Sequence, residues 1–125
     1  MSGAAMSSAR RGAEGERKAA VFMTERGWTV LERNFRALGG EIDIIAEKGD
    51  TVAFVEVKAW EALPQGELEH SIDGRKQARI ARAARSWLSR SRGLSGKRLR
   101  FDVIFLGRET SGIRHIENAF SGGID

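Results

Sequence analysis

Apolar and polar positions alternate most strongly over Gly40 to Lys48, "GEIDIIAEK", and Thr51 to Lys58, "TVAFVEVK", two runs separated by Gly49-Asp50. Strand-like runs flanking a Gly-Asp step predict a β-hairpin. Ahead of them, "WTVLERNFR" from Trp28 to Arg36 alternates with period two and predicts a further strand. Ala19, Ala20, Phe22 and Met23 recur at helical spacing, so a helix is expected from about Ala13 to Arg26, with Gly27 terminating it. A second, longer helix is predicted from about Ser71 to Arg92. It carries Ile72, Ile80, Ala83, Ala84, Trp87 and Leu88 on one side and Arg75, Arg79 and Arg82 on another, and Gly93 and Gly96 are expected to end it. "LRFDVIFLG" reads as a buried strand and "GIRHIENAF" as a last short one.

Consecutive strands joined by tight turns form an antiparallel meander, whereas a strand joined to the next through a helix makes a right-handed parallel crossover. The expected class is therefore α/β, in the order α-β-β-β-α-β(-β), with a mixed sheet flanked by helices. At 125 residues one domain is expected. Residues 1–12 read as a flexible tail, 13–120 as the domain and 121–125 as a short C-terminal tail.

Composition narrows the picture. With no cysteine, disulfide frameworks and thiolate zinc sites are ruled out, which fits a reducing cytoplasm. No apolar run approaches the ~20 residues of a membrane helix, so no membrane partner is expected. "MSGAAMSSARRGAEG" lacks the apolar centre of a secretory signal, and an organellar transit peptide is the alternative reading of this short stretch. The net charge of +4 hides an asymmetry: Gly74 to Phe101 holds ten Lys or Arg and no acid. A localised basic stripe is the footprint of a polyanion partner, although an isolated Arg-rich helix face is more often merely solvated.

The hairpin concentrates charge. A two-residue loop at Gly49-Asp50 sets Lys48 against Thr51, Asp43 against Glu56 and Glu41 against Lys58, and an odd loop would send Asp43 and Glu56 to opposite faces. Two carboxylates opposed at ~4.5–5.5 Å between Cβ atoms repel unless a proton or cation lies between them. An ion such as Mg²⁺, with its preference for oxygen ligands, would turn that repulsion into a site. The plainer alternative is a solvent-facing strand pair with a weak Glu41–Lys58 ion pair. Ile45, Val52 and Phe54 share the face and argue that it is covered. Glu16 lies on the apolar stripe of the first helix, three, four and seven residues before Ala19, Ala20 and Met23. Taken alone it reads as a first-turn acid favoured by the helix dipole.

Asp43, twelve intervening residues and then Glu56-Val57-Lys58, preceded by a helix bearing Glu16 and followed by a basic helix, resembles the PD-(D/E)XK nuclease superfamily with its restriction-endonuclease-like fold. More narrowly, "RNFRALGGEIDIIA", "FVEVK", "RFDVIF" and "HIENAF" resemble the YraN family of predicted endonucleases, distantly similar to archaeal Holliday junction resolvases. The resemblance runs from about Gly12 to Phe120. It implies Asp43, Glu56 and the Val57 carbonyl as ligands of Mg²⁺ or Mn²⁺, Lys58 as the catalytic lysine, Glu16 as an additional acid and Glu41 as an accessory group. The family usually carries a basic residue where this chain has Trp60, so a phosphate contact there is not implied.

These features lead to the expectation of a metal-dependent endonuclease acting on structured or branched DNA. Arg75, Lys76, Arg79, Arg82 and Arg36 are expected on the nucleic acid, and Trp60 is the tryptophan placed to stack on a base. A homodimer is expected if the junction-resolving similarity extends to cutting two strands. The competing expectations are a nucleic-acid-binding module that keeps the fold without cleaving, and a protein-interaction scaffold whose acids are merely salt-bridged. Trp28 and Trp87 read as core, Asp102 as a structural partner of Arg100 or of a neighbouring strand, and His70 and His115 as unrelated single histidines.

Overall fold

The alternating runs become a five-stranded sheet in the order β1-β2-β3-β4-β5, comprising β1 (Thr29–Ala37), β2 (Gly40–Lys48), β3 (Thr51–Ala59), β4 (Arg98–Leu106) and β5 (Ile113–Phe120). The structure, a computed structural model, describes residues 8–59, 72–91, 93, 96–107 and 112–122, with side chains from residue 12 onward. Trp60 and His70 lie outside the described residues. Helix α1 (Ser8–Glu25) precedes the sheet, and α2 (Gly74–Arg90) lies between β3 and β4. Only β3 and β4 run parallel, and the other three pairings are antiparallel. The α-β-β-β-α-β-β order and mixed sheet match the expected α/β architecture and are consistent with the restriction-endonuclease-like fold.

Each helix covers one face. On the α1 side, Ala19 and Met23 pack with Trp28, Ile44, Val55 and Ile104. On the α2 side, Ile80, Ala84 and Trp87 pack with Ile45, Phe54 and Phe101. Burying an aromatic such as Phe54, 1% exposed, stabilises the fold by about 1.5–3 kcal/mol. Trp28 and Trp87 are core residues as expected, and the Trp87 indole N–H donates to Glu32 at 2.9 Å. Gly27 does end α1: at φ 94° it lets the Gly27 and Trp28 N–H groups donate to the Thr24 and Met23 carbonyls.

Boundaries differ where capping chemistry decides them. Helix α1 starts at Ser8, ahead of the expected Ala13. Helix α2 starts at Gly74 because Asp73 is extended and its carboxylate accepts from the Lys76 N–H, and it ends at Arg90 with Ser91 capping it, before either glycine. The hinge between β1 and β2 is Leu38-Gly39, both at positive φ, which is the two-residue turn whose twist suits a hairpin. Gly40 follows, and a side chain there would run into the Arg79 carbonyl, so the backbone of α2 rests directly on this turn. The two outer strands each contain an asparagine at positive φ, Asn34 in β1 and Asn118 in β5, and register shifts interrupt both the β1–β2 and β4–β5 pairings.

Candidate functional site

The even loop at Gly49-Asp50 does set the expected register: Lys48 faces Thr51, and the pairing continues inward to Ile44 opposite Val55. There it stops. The charged couples the register extrapolates to, Asp43 with Glu56 and, two positions further, Glu41 with Lys58, are not formed as paired residues. The cause is Asp43 itself, whose Oδ2 accepts the Val57 N–H at 2.8 Å, so that a carboxylate replaces a strand carbonyl in the ladder and the strands part. Val57 thus engages Asp43 through its N–H.

Into this gap α1 delivers Glu16. Because α1 begins at Ser8, Glu16 stands more than two turns inside the helix and is no first-turn acid. It is 8% exposed, on the same stripe as Ala19 and Met23, and its Oε1 is buried without a hydrogen-bond partner. The nearest cation, the Arg33 guanidinium on β1, is 3.9 Å away. One carboxylate oxygen from each of Glu16, Glu41 and Asp43 lies within 4.8 Å of the others. Glu41 comes from the start of β2 and meets Arg36 of β1 at 3.5 Å, so its cross-strand cation is Arg36 rather than Lys58.

Glu56, buried on β3, is held differently: Lys76 from the first turn of α2 reaches its Oε2 at 2.7 Å. It remains close enough to Asp43 for its charge to act there. Burial, then the Glu56 charge, then those of Glu16 and Glu41 push the Asp43 carboxyl up to about 8, against the opposing Val57 hydrogen bond. Glu16 is raised as well, first by burial and then by Glu41 and Glu56, with Arg33 and Arg36 opposing. Half-buried Lys58 has no ion-pair partner among the described residues.

Glu41, Asp43 and Glu56 line one open cleft of about 580 Å³ together with Arg36, Lys76, Arg79 and the glycines Gly39 and Gly40, while Glu16 joins Glu41 and Asp43 from α1 and Lys58 is not part of the lining. Arg75 and Arg82 are exposed on α2 and, like Arg79, have no ion-pair partner among the described residues. Of the residues picked out in the sequence, the fold brings Glu16, Glu41, Asp43, Glu56, Arg36, Lys76 and Arg79 together. Arg33 and Gly40 were missed: the first is one polar residue among several in a weak strand, and the second packs on a helix far along the chain.

The model of the uncharacterised protein family UPF0102 matches residues 15–106. The chain belongs to this family. It is the family to which the YraN-like blocks pointed. A UPF0102 protein of Moorella thermoacetica is 41% identical over 119 residues, covering 92% of this chain and 98% of the relative. One from Persephonella marina is 43% identical over 110 residues, covering 88% and 92%, and one from Methylorubrum extorquens 44% over 110 residues, covering 88% and 84%. The UPF0102 match runs from within α1 through β4 and includes Glu16, Glu41, Asp43, Glu56 and Lys76.

Away from the cleft, this UPF0102 chain buries a further carboxylate. Asp102, fully buried on β4, accepts from Arg100 at 2.9 and 2.8 Å, lies 2.8 Å from His115 Nε2 and takes the Asn118 N–H at 2.9 Å. Both structural partners expected for Asp102, Arg100 and the adjacent strand, are present. Burial raises its pKa, but the hydrogen bonds from His115, Arg100 and Asn118 outweigh it and leave the carboxyl below its ordinary value.

Proposed function

We propose that this UPF0102 protein hydrolyses phosphodiester bonds of structured or branched DNA with the help of a divalent cation, Mg²⁺ or Mn²⁺. The observation that carries the reading is the orphaned Glu16 Oε1, buried beside Glu41 and Asp43. A buried carboxylate oxygen with no donor is costly, and the donor set here is all oxygen, which suits a hard cation. Glu16, Glu41 and Asp43 would hold the ion, with Glu56 adjoining through its proximity to Asp43. When bound, the ion neutralises these acids and withdraws charge from a phosphate oxygen.

The chain's own residues would do the rest. Lys58, uncommitted to any acid among the described residues, is available to orient the attacking water and to stabilise charge building on the phosphate. Arg36 and Arg79 at the cleft and Arg75 and Arg82 along α2 supply the positive surface for the flanking backbone.

The reading is tested with branched and linear DNA duplexes incubated with catalytic amounts of protein, with Mg²⁺, Mn²⁺ or chelator. Cleavage should require the metal and should fall at least about a hundredfold in Asp43→Ala and Lys58→Ala, on the scale of removing a positioned charge from a reacting centre. Salt-sensitive binding with no cleavage under any condition would support a non-cleaving binding module instead. Absence of binding would remove both readings.

A further inference from the structure

Three acids of the site, Glu16, Glu41 and Asp43, cluster with one another, and the fourth, Glu56, does not join them. Glu56 Oε2 is taken by the Lys76 ammonium at 2.7 Å, while Glu16, Glu41 and Asp43 converge without it. The two partners differ in freedom. Glu56 is 9% exposed along its side chain and fixed within β3, whereas Lys76 is 37% exposed and reaches it on a flexible stem from the first turn of α2. The backbone of Lys76 is anchored, since its N–H is tied to the capping Asp73, so only the side chain is free to move. It stands in the same cleft as Arg79 and Arg36, where a phosphate would bring competing charge to its ammonium.

We infer that Lys76 is the resident counter-ion of Glu56, one that a divalent cation must displace before Glu56 can contribute to the metal centre and that a phosphate can draw off. Glu56 is then the conditional member of the centre, while Glu16, Glu41 and Asp43 receive the ion first. An ion pair whose lysine is this exposed is weak enough to exchange. The inference rests on the proposed metal centre.

Its test reads metal binding directly. Mn²⁺ titrations followed by the electron paramagnetic resonance of the free ion, without DNA, compare wild type with Lys76→Met, Arg79→Met, Glu56→Gln and the Lys76→Met/Glu56→Gln double variant. Lys76→Met should bind Mn²⁺ about fivefold tighter or more, as expected when a contacting charge is removed. Arg79→Met, which removes a cleft charge that does not touch Glu56, should gain clearly less. In the Glu56→Gln background the gain from Lys76→Met should vanish, because the coupling runs through that pair. Lys76→Gln, judged by the same titration, stands in if the methionine variant does not fold. Wild type that binds Mn²⁺ while Lys76→Met and Lys76→Gln bind it no tighter overturns the counter-ion role and leaves the metal centre standing. Equal gains from Lys76→Met and Arg79→Met, or a gain that persists without Glu56, overturn it likewise. No Mn²⁺ binding by any variant overturns the metal centre and this inference together.

Discussion

Asp43 and Asp102 are carboxylates within one sheet, and their surroundings push them in opposite directions. Asp102 has donors on three sides and is lowered. Asp43 has one donor and three acidic neighbours and is raised to about 8. The signs follow from proton linkage. The folded protein holds the Asp43 proton more tightly than the unfolded chain, so the stability that proton confers is fully present below the ordinary Asp range near 4 and is lost as pH rises toward 8. Asp102 does the reverse, contributing above the ordinary range and losing its contribution as pH falls through its lowered value. Asp43→Asn should therefore be more stable than wild type at pH 8.5, with a flatter pH dependence, as read from denaturant midpoints at pH 5.5 and 8.5. For the same reason Mn²⁺ should raise the melting temperature of wild type more at pH 8.5 than at pH 5.5, where a proton competes for Asp43. Asp102→Ala strands Arg100 and the Asn118 N–H and should cost about 3 kcal/mol in urea unfolding. The proximity of Asp43 and Glu56 was legible because a two-residue loop leaves one register. The His115 contact with Asp102 was not legible, because it depends on where the β5 register shifts.

At the scale of elements, two turns and one helix build the cleft. Gly49-Asp50 brings β2 to β3, Leu38-Gly39 brings β1 to β2, and α2 leans on the second of these through Gly40. A methyl group at Gly40 meets the α2 backbone, which cannot rotate away as a side chain can. Gly40→Ala should lower stability by about 1–3 kcal/mol, measured by thermal unfolding. β2, β3 and both helices could be read from the spacing of their apolar positions, and β4 from its continuous apolar run, whereas β1 gave only a weak alternation. The start of α1 at Ser8 could not be read, since the small and polar residues before Ala13 carry no apolar stripe. That shift matters, because it moves Glu16 from a helix end, where an acid is unremarkable, to an interior turn facing the core. The assignment of Lys76 to nucleic acid on charge alone likewise missed Glu56, because the pair joins α2 to β3 across a connection whose length says nothing of where the helix lands.

Over the whole molecule the charge is divided between an acidic cleft and a basic helix. Of the ten basic residues over Gly74 to Phe101, Lys76, Lys97 and Arg100 pair internally with Glu56, Glu47 and Asp102, and Arg75, Arg79 and Arg82 of α2 are among those left for a partner. Replacing these three with glutamine should flatten the salt dependence of DNA binding by about 2–3 in log–log slope and leave the fold intact, as checked by anisotropy between 50 and 200 mM salt. Among the described residues no helix is long and apolar enough to cross a membrane.

The left-handed asparagines of the two outer strands bear on how such molecules live together at high concentration. A flat, regular outer strand offers an unused row of N–H and C=O groups that a second sheet can zip onto. Asn34 and Asn118 each turn the backbone out of line midway along that row, so a neighbouring chain finds no continuous template on either side. Self-association through continuous strand addition is therefore disfavoured.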